Sequence, residues 1–255
     1  MRYLREDKSL ETMIRHSSIQ AGNLRILLAD SHSVPSHSTS RSACSTSQMD
    51  SARSTVQMES ALSRALTAAA LEIHLGRKPS SEELSSEMRI PGEKPCFPAY
   101  PYFYYNISHS GGIAVCGLAD HPIGIDIQKV PKNTEQIFRI AKRFFSASEQ
   151  ESLQALQDAN EPAAMCRLFC RYWTARESYI KLIGRGLAEP FENFRPDLDA
   201  GVIHSLRSHC TDSTGPLYED TFYLTECPAP EGFCLTVCST VPLPSRTPEE
   251  ICNHS

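Results

Sequence analysis

Apolar residues recur at helical spacing in several stretches of the chain, and residues 59–75 give the clearest example. Their apolar positions lie three or four apart, and Gly76 follows as a stop signal. Residues 133–145 have the same spacing, and Ser146 with Glu149 then has the arrangement of a capping box, which starts the next helix. The pattern therefore predicts two amphipathic helices and the beginning of a third.

A further helix is predicted over residues 169–183, which contain neither Pro nor Gly and are followed by Gly184. Trp173, Glu177 and Lys181 are spaced four residues apart, so they share one face, with the acid one turn before the base. An acid and a base at this spacing are in most cases an ordinary ion pair on the surface. The helix alone therefore leaves a surface role and a functional role open.

Alternating apolar residues and β-branched residues predict strands on both sides of these helices. Residues 113–119 and 123–128 are separated by a short Asp-His-Pro connection, and we interpret them as a β-hairpin. Strands that precede and follow a group of helices are typical of an α+β architecture. The remaining predicted strands cover residues 24–29, 102–107, 201–206, 217–225 and 232–240.

Two segments are too polar or too rich in proline to contribute to a core. Ser, Thr and His dominate residues 31–55, and we predict a disordered loop there. Residues 241–255 contain several prolines and end the chain, which predicts a flexible tail.

The composition is that of a soluble globular protein, because 40% of the 255 residues are apolar and 22% are charged. The net charge of -5 gives no reason to expect nucleic acid as a partner, so a phosphate site requires a local group of basic residues. No apolar run is long enough to span a membrane, and the N-terminus lacks the apolar segment of a secretory signal. We therefore expect a cytoplasmic protein with reduced thiols, and no zinc site, since no Cys-x-x-Cys pair occurs.

The strand predicted at residues 123–128 alternates isoleucine with small or polar residues. Side chains alternate between faces along a strand, so the isoleucines point into a core, whereas Gly124, Asp126 and Gln128 point the other way. This arrangement predicts an acid on an open face, beside a glycine that would let a ligand approach the backbone. A solvent-exposed Asp near a turn is an equally good interpretation of these residues alone.

Five short motifs occur in order along the chain. They are Gly92-Glu-Lys94-Pro95, Asn106-Ile-Ser108-His109-Ser110-Gly111, Ile123-Gly-Ile-Asp126-Ile-Gln128, Arg143-Phe-Phe-Ser146 with Glu149, and the Trp173, Glu177 and Lys181 helix. In this order and at these separations they resemble the 4'-phosphopantetheinyl transferase superfamily, in its single-chain Sfp-like branch. The resemblance implies a monomer built as a pseudo-dimer of two similar halves, residues 1–122 and 123–240, each with a long helix packed on an antiparallel sheet.

The resemblance implies a magnesium site formed by Asp126 and Glu177, completed by water and a pyrophosphate. Gln128 is a third, weaker candidate ligand. Much of the branch carries Glu at this position, so the neutral Gln would contribute only its carbonyl oxygen, directly or through water.

The resemblance also implies a coenzyme A site. The 3'-phosphate of coenzyme A would lie against Ser108 and His109, although capping of a turn by Asn106 and Ser108 is the alternative that the residues themselves suggest. Arg53 and Arg64 are candidates for further basic contacts to this phosphate. The other residues implied to approach coenzyme A are Gly92, Lys94, Pro95, Asn106 and Lys181.

The implied reaction is transfer of the 4'-phosphopantetheine arm of coenzyme A to a serine of an acyl- or peptidyl-carrier protein, with release of 3',5'-ADP. Glu177, or Lys181 as second choice, would deprotonate the serine. Arg139, Lys142 and Arg143 would contact the acidic carrier protein. Two alternatives stay open: a catalytically weak or inactive relative that binds coenzyme A or a carrier protein, and an unrelated metal-dependent phosphohydrolase.

Overall fold

The computed structural model describes residues 14–21, 24–31, 48–90, 94–186, 189–205 and 220–243, and the elements of the fold lie within these ranges. The helices are α1 (Gln48–Leu75), α2 (Ser81–Ser85), α3 (Thr134–Phe144), α4 (Ala147–Asp158) and α5 (Pro162–Ile183). The strands are β1 (Ile14–Ala21), β2 (Leu24–Asp30), β3 (Tyr104–Ser110), β4 (Ile113–Ala119), β5 (Ile123–Lys129), β6 (Phe194–Asp197), β7 (Val202–Ser205), β8 (Asp220–Glu226) and β9 (Phe233–Ser239).

The strands form two antiparallel sheets. The first sheet has the strand order β1-β2-β4-β3, and the second has the order β5-β9-β8-β7-β6. The neighbouring strands run antiparallel throughout. The predicted α+β class is therefore confirmed, with two strands, β1 and β6, that the sequence pattern had not indicated.

The predicted hairpin of residues 113–119 and 123–128 is wrong, because β4 and β5 belong to different sheets. Strand β4 instead forms a hairpin with β3, in which Gly111 and Gly112 connect Ser110 to its partner Ile113. Both glycines have a positive φ, 57° and 86°, as a two-residue hairpin turn requires. The connection that contains Pro122 lets the chain leave the first sheet and begin the second.

Helix α1 extends beyond the stretch in which apolar residues recur. It begins at Gln48, so residues 48–55, which we predicted to belong to a disordered loop, are helical, while residues 32–47 of that loop lie outside the described part of the chain. Each residue added to an existing helix gains a hydrogen bond, so polar residues can extend a helix that packing stabilises further along. Its end agrees with the prediction, since Gly76 follows with a φ of 67°.

Helix α1, the two sheets and helix α5 lie in successive layers. Ile123, Ile125 and Ile127 of β5 are at most 1% exposed and lie between the sheets, as their alternation predicted. Helix α5 covers the opposite face of the second sheet. The side chains that α1 packs against the first sheet are Leu62, Leu66, Ala70 and Leu71, and those of α5 include Ala175, Tyr179 and Leu182.

Helix α5 passes close over β5 at Gly124. A Cβ atom added to this residue would lie 1.9 Å from the carbonyl oxygen of Ser178 and 2.5 Å from the backbone nitrogen of Leu182. The sequence suggested that this glycine makes room for a ligand, but it makes room for the helix backbone. Helix α5 begins earlier than residue 169, at Pro162, because proline fits the first turn of a helix, and it ends as predicted at Gly184.

The two sheets meet along β3 and β5, each of which is the outermost strand of its sheet. Backbone N–H groups of β5 donate hydrogen bonds to polar side chains of β3. Residues two apart on a strand share a face, so three such side chains can follow one strand edge. The bonds run from Ile125 N to Asn106 Oδ1 (2.9 Å), from Ile127 N to Ser108 Oγ (3.2 Å) and from Lys129 N to Ser110 Oγ (3.1 Å).

Of the predicted tail, residues 244–255 lie outside the described residues. Among the helices that the structure describes, none has the length and hydrophobicity needed to cross a bilayer.

Candidate functional site

Asp126 is at the centre of the site, on the face of β5 that α5 covers. It is 5% exposed, so the open face that the sequence suggested is covered by the helix. Its Oδ1 accepts hydrogen bonds from Ser108 Oγ at 2.7 Å and from Lys181 Nζ at 2.6 Å. Its Oδ2 is also buried, and no hydrogen-bond partner for it occurs in the described part of the chain. One carboxylate oxygen is thus held by protein groups, whereas the other is an unsatisfied buried acceptor.

Lys181 connects three elements of the fold. It lies in the last turn of α5, and its Nζ contacts both Asp126 on β5 and, at 2.8 Å, Ser108 Oγ on β3. Its side chain is 27% exposed and that of Asp126 is 7% exposed, so the ion pair is partly shielded from water. The lysine that the sequence placed on one face with Glu177 thus contacts Asp126 as well.

Glu177 lies one turn before Lys181 and faces the same carboxylate. Burial, and next the negative charge of Asp126, raise the pKa of Glu177, whereas Lys181 lowers it. Burial also raises the pKa of Asp126, against the effect of Lys181. A shielded site in which the charge of one carboxylate raises the pKa of a second is suited to a cation. No cluster of three or more His, Cys, Asp and Glu with metal-binding geometry occurs among the described residues.

Gln128 lies two residues after Asp126 on the same face of β5 and is half-buried. Its backbone carbonyl accepts a hydrogen bond from Cys170 Sγ at 3.4 Å. Trp173, the aromatic residue on the Glu177 face, packs against other rings, with centroids 6.0 Å from Phe144 and 6.2 Å from Phe191. The site thus continues along α5 into an aromatic cluster.

His109 contacts helix α1. Its Nδ1 is 3.1 Å from Oε2 of Glu59, and its side chain is 49% exposed. Nothing in the sequence pattern singled out Glu59, which also accepts a hydrogen bond from the backbone N–H of Gly112 at 3.4 Å. Ser108 and His109, which the sequence grouped in one phosphate site, therefore contact different elements.

Lys94 reaches the beginning of β5, where its Nζ donates a hydrogen bond to the carbonyl of Ile123 at 2.9 Å. Burial lowers the pKa of this lysine to about 8. Its side chain also passes Gly184, since a Cβ at that glycine would lie 3.4 Å from Lys94 Cγ. The half-buried Pro95 follows, while Gly92 lies outside the described residues.

A buried ion pair beside Glu177 escaped the sequence analysis. The guanidinium of Arg176 is 1% exposed and its Nη2 donates to Oε2 of Glu149. We assigned Glu149 to the capping box with Ser146, which is confirmed, but 27 residues separate Glu149 from Arg176, so no local pattern links them. The rings of Phe145, Phe191 and Phe194 surround Arg176, with centroids 5.2, 5.9 and 5.5 Å from its Cζ.

A cavity of about 640 Å³ lies at the end of β5, between the N-terminal ends of α3 and α5. Lys129, Lys132 and Arg167 contribute positive charge to its lining, and Glu231 contributes one negative charge. All four side chains are exposed at the rim. We call this cavity the basic groove.

Comparison with known proteins adds to this geometry. A sequence model of the 4'-phosphopantetheinyl transferase superfamily (ACPS) matches residues 122–238, which include Asp126, Glu177 and Lys181. Two 4'-phosphopantetheinyl transferases of Bacillus subtilis, one of them Sfp of strain 168, are each 37% identical over 150 residues, or 58% of this chain and 60% of the relative. The L-aminoadipate-semialdehyde dehydrogenase-phosphopantetheinyl transferase of Xenopus laevis is 37% identical over 127 residues, or 48% of this chain and 38% of the relative.

The aligned part of the chain thus covers at most 60% of the length of these relatives. The two carboxylates and the lysine that the motifs predicted lie together within the matched segment. Residues 122–238 thus match the 4'-phosphopantetheinyl transferase superfamily, and the chain is similar to the Sfp-like members of that family.

Proposed function

We propose that this protein transfers the 4'-phosphopantetheine arm of coenzyme A to a serine of an acyl- or peptidyl-carrier protein, with magnesium, and releases 3',5'-ADP. The observation that carries the proposal is the meeting of Asp126, Glu177 and Lys181 within the segment that matches the family. Displacement at the phosphorus of a pyrophosphate depends on alignment and charge neutralisation more than on a covalent intermediate. A shielded site with two acids and one base can supply both the alignment and the charge neutralisation.

The residues present fit a magnesium ion. The buried Oδ2 of Asp126 lacks a hydrogen-bond partner in the described part of the chain, and burial together with the charge of Asp126 raises the pKa of Glu177. Asp126 and Glu177 would hold the ion, with Gln128 as a further neutral donor on the same face of β5. Magnesium bound there would neutralise negative charge on the pyrophosphate of coenzyme A.

Glu177 is our first choice for the group that accepts the proton of the attacking serine. Burial and the charge of Asp126 raise its pKa, and a base with a raised pKa holds a proton more readily near neutral pH. Lys181, the second choice, is already engaged with the carboxylate of Asp126 at 2.6 Å. The ammonium group of Lys181 is better suited to hold Asp126 and to meet a phosphate oxygen.

Coenzyme A would bind where the two sheets meet, beside β3 and the N-terminal end of β5. The side chain of His109 is 49% exposed, so it can reach a phosphate after leaving Glu59. Gly92, Lys94 and Pro95 belong to the loop that approaches the same strand end, and the resemblance assigns them to the nucleotide. The hydrogen bond of Lys94 to Ile123 supports a second role, in fixing the start of β5.

The basic groove is our proposed contact surface for the carrier protein. Carrier proteins are typically acidic, and Lys129, Lys132 and Arg167 offer complementary charge. Lys129 follows Asp126 by three residues, or about 10 Å along an extended strand, so a carrier docked there would have its serine near the site. Arg139, Lys142 and Arg143, which the sequence suggested, are exposed on α3 and form the competing surface.

Mass spectrometry of an intact apo carrier protein tests the transfer directly. The carrier is incubated with this protein, coenzyme A and magnesium, and a parallel sample contains a chelator. We expect the carrier to gain the mass of one phosphopantetheine arm and the gain to be lost with the chelator. Unchanged carriers of the acyl and peptidyl types, in the presence of magnesium, would contradict the proposal.

A second candidate function is binding without transfer, and Gln128 favours it because a neutral amide replaces a possible third carboxylate. This candidate predicts that coenzyme A or a carrier protein binds while the carrier mass stays unchanged. We further propose that residues 1–122 and 123–240 are the two similar halves of a pseudo-dimer, and that the protein is a cytoplasmic monomer. Size-exclusion chromatography with light scattering tests the monomer.

A further inference from the structure

The hydroxyl group of Ser108 uses its entire hydrogen-bonding capacity within the protein. A serine hydroxyl has one donor and two acceptor positions. Ser108 donates to Oδ1 of Asp126 at 2.7 Å, and it accepts from the backbone N–H of Ile127 at 3.2 Å and from Nζ of Lys181 at 2.8 Å. The hydroxyl therefore has no position left for a phosphate oxygen of coenzyme A.

The burial of the Ser108 side chain and the direction in which it points also argue against a contact with the phosphate. Ser108 is 4% exposed, whereas the side chain of its neighbour His109 is 49% exposed. Consecutive residues of a strand point to opposite faces, and here Ser108 meets β5 and α5 while His109 meets Glu59 of α1. A phosphate bound by His109 on one side of β3 would therefore not be reached by Ser108 on the other.

We propose that Ser108 is a positioning residue for Asp126 and does not contact coenzyme A. It joins β3 of the first sheet to β5 of the second, and it fixes which oxygen of Asp126 is held by protein. The hydrogen bonds to Oδ1 leave Oδ2 as a buried acceptor without a hydrogen-bond partner among the described residues. Groups that orient a metal-binding carboxylate typically change metal affinity 10- to 100-fold when they are removed, roughly the effect expected here.

Two binding measurements test this inference, which rests on the proposed function for the identity of the metal and the nucleotide. Electron paramagnetic resonance measures the affinity for Mn²⁺, a probe of the carboxylate site. Calorimetry measures the affinities for 3',5'-ADP and 5'-ADP, whose ratio reports contacts to the 3'-phosphate. Neither readout requires transfer to a carrier, so a protein that binds both probes without transfer contradicts the proposed function and leaves the role of Ser108 standing.

For Ser108→Ala we expect Mn²⁺ to bind about 10- to 100-fold more weakly. We expect the ratio of the two nucleotide affinities to stay within about twofold of the wild-type value, because no 3'-phosphate contact is lost. For His109→Ala we expect the opposite result: the ratio of the affinities for 3',5'-ADP and 5'-ADP falls, and the affinity for Mn²⁺ is unchanged. A fall of the ratio in Ser108→Ala, unchanged Mn²⁺ affinity, or a wild-type protein that does not bind Mn²⁺ would each overturn the inference.

Ser110→Ala is the matched control. Ser110 accepts a hydrogen bond from the backbone of β5 at 3.1 Å, as Ser108 does, but it lies beyond Asp126. Its replacement removes one bond between the sheets and should leave both readouts unchanged. If Ser108→Ala does not fold, Ser108→Cys keeps the size of the side chain with a weaker donor, and the same two outcomes apply.

Discussion

The Nζ atom of Lys181 lies 2.6 Å from Oδ1 of Asp126, although 55 residues separate the two in sequence. The contact joins the last turn of α5 to the middle of β5, and both side chains are largely shielded from water. In such surroundings each charge depends on the other, because neither is well solvated alone. The pair thus connects the stability of the contact between α5 and β5 to the proposed chemistry.

Replacement of Asp126 by Asn should abolish most of the proposed transfer. The variant loses a charged candidate ligand, and metal stabilisation of phosphoryl transfer is worth several kcal/mol, so we expect turnover to fall at least about 100-fold. Carrier mass against time measures the rate, and circular dichroism verifies folding. Asp158→Asn makes the same chemical change on the exposed end of α4 and should keep the wild-type rate. Normal turnover of Asp126→Asn would exclude this carboxylate from the reaction.

The Glu177→Gln variant should be inactive yet more stable than the wild type near neutral pH without metal. The folded-state pKa of Glu177 is raised, so folding favours its protonated form, and ionisation destabilises the fold as pH rises through that pKa. Gln resembles the protonated form and avoids this loss. We expect a higher melting temperature at pH 7.5 in chelator, with the difference shrinking toward pH 4. If the variant and the wild type had the same melting temperature at pH 7.5 as well as at pH 4, the raised pKa of Glu177 would be contradicted.

The buried pair of Arg176 and Glu149 should contribute much more to stability than an exposed pair. Arg176→Met leaves Glu149 charged and buried, and breaking a buried pair on one side costs roughly 3 to 5 kcal/mol. Arg171→Met is the matched control, since its bond to Glu226 is partly exposed, with side-chain exposures of 34% and 43%, and should cost at most about 1 kcal/mol. Urea unfolding measures the free energy of unfolding of both variants. Similar losses of stability would show that burial of the Arg176–Glu149 pair does not increase its contribution.

Gly124→Ala should strongly destabilise the contact between β5 and α5. The new methyl group would lie 1.9 Å from the carbonyl oxygen of Ser178, and a helix backbone cannot move aside as a side chain can. We expect a loss of about 3 kcal/mol or more. Gly117→Ala serves for comparison, because its methyl would meet Ile123 Cδ1, a side-chain end, at 3.0 Å and should cost less. Thermal unfolding measures the stability of both variants. A loss for Gly124→Ala no larger than that for Gly117→Ala would show that α5 can shift to make room for the methyl group.

Charge reversal in the basic groove should weaken carrier recognition without changing coenzyme A binding. For the double variant Lys132→Glu and Arg167→Glu, we expect the KM for the carrier to rise about tenfold, which corresponds to 1.4 kcal/mol, and the KM for coenzyme A to stay. Arg139→Glu on α3 tests the competing surface in the same assay. A larger effect of Arg139→Glu would move the contact surface from the groove to α3.

Local sequence patterns determined several elements between β5 and the end of α5. The capping box at Ser146, the stop at Gly184 and the alternation of isoleucines in β5 were readable because each depends on residues a few positions apart. The order of the motifs indicated the family, and the helical spacing put Glu177 and Lys181 on one face. These features follow from hydrogen bonding and periodicity within single elements, which a sequence displays directly.

The tertiary structure decided which elements meet. Strand β5 lies at the edge of a second sheet, although the pattern predicted a hairpin with β4. Gly124 contacts the backbone of α5, although the pattern predicted a contact with a ligand. The tertiary structure also separated Ser108 from His109, and it paired Arg176 with Glu149 across 27 residues. Such relations depend on the packing of whole layers, where burial of apolar faces selects one arrangement among many that the local pattern allows.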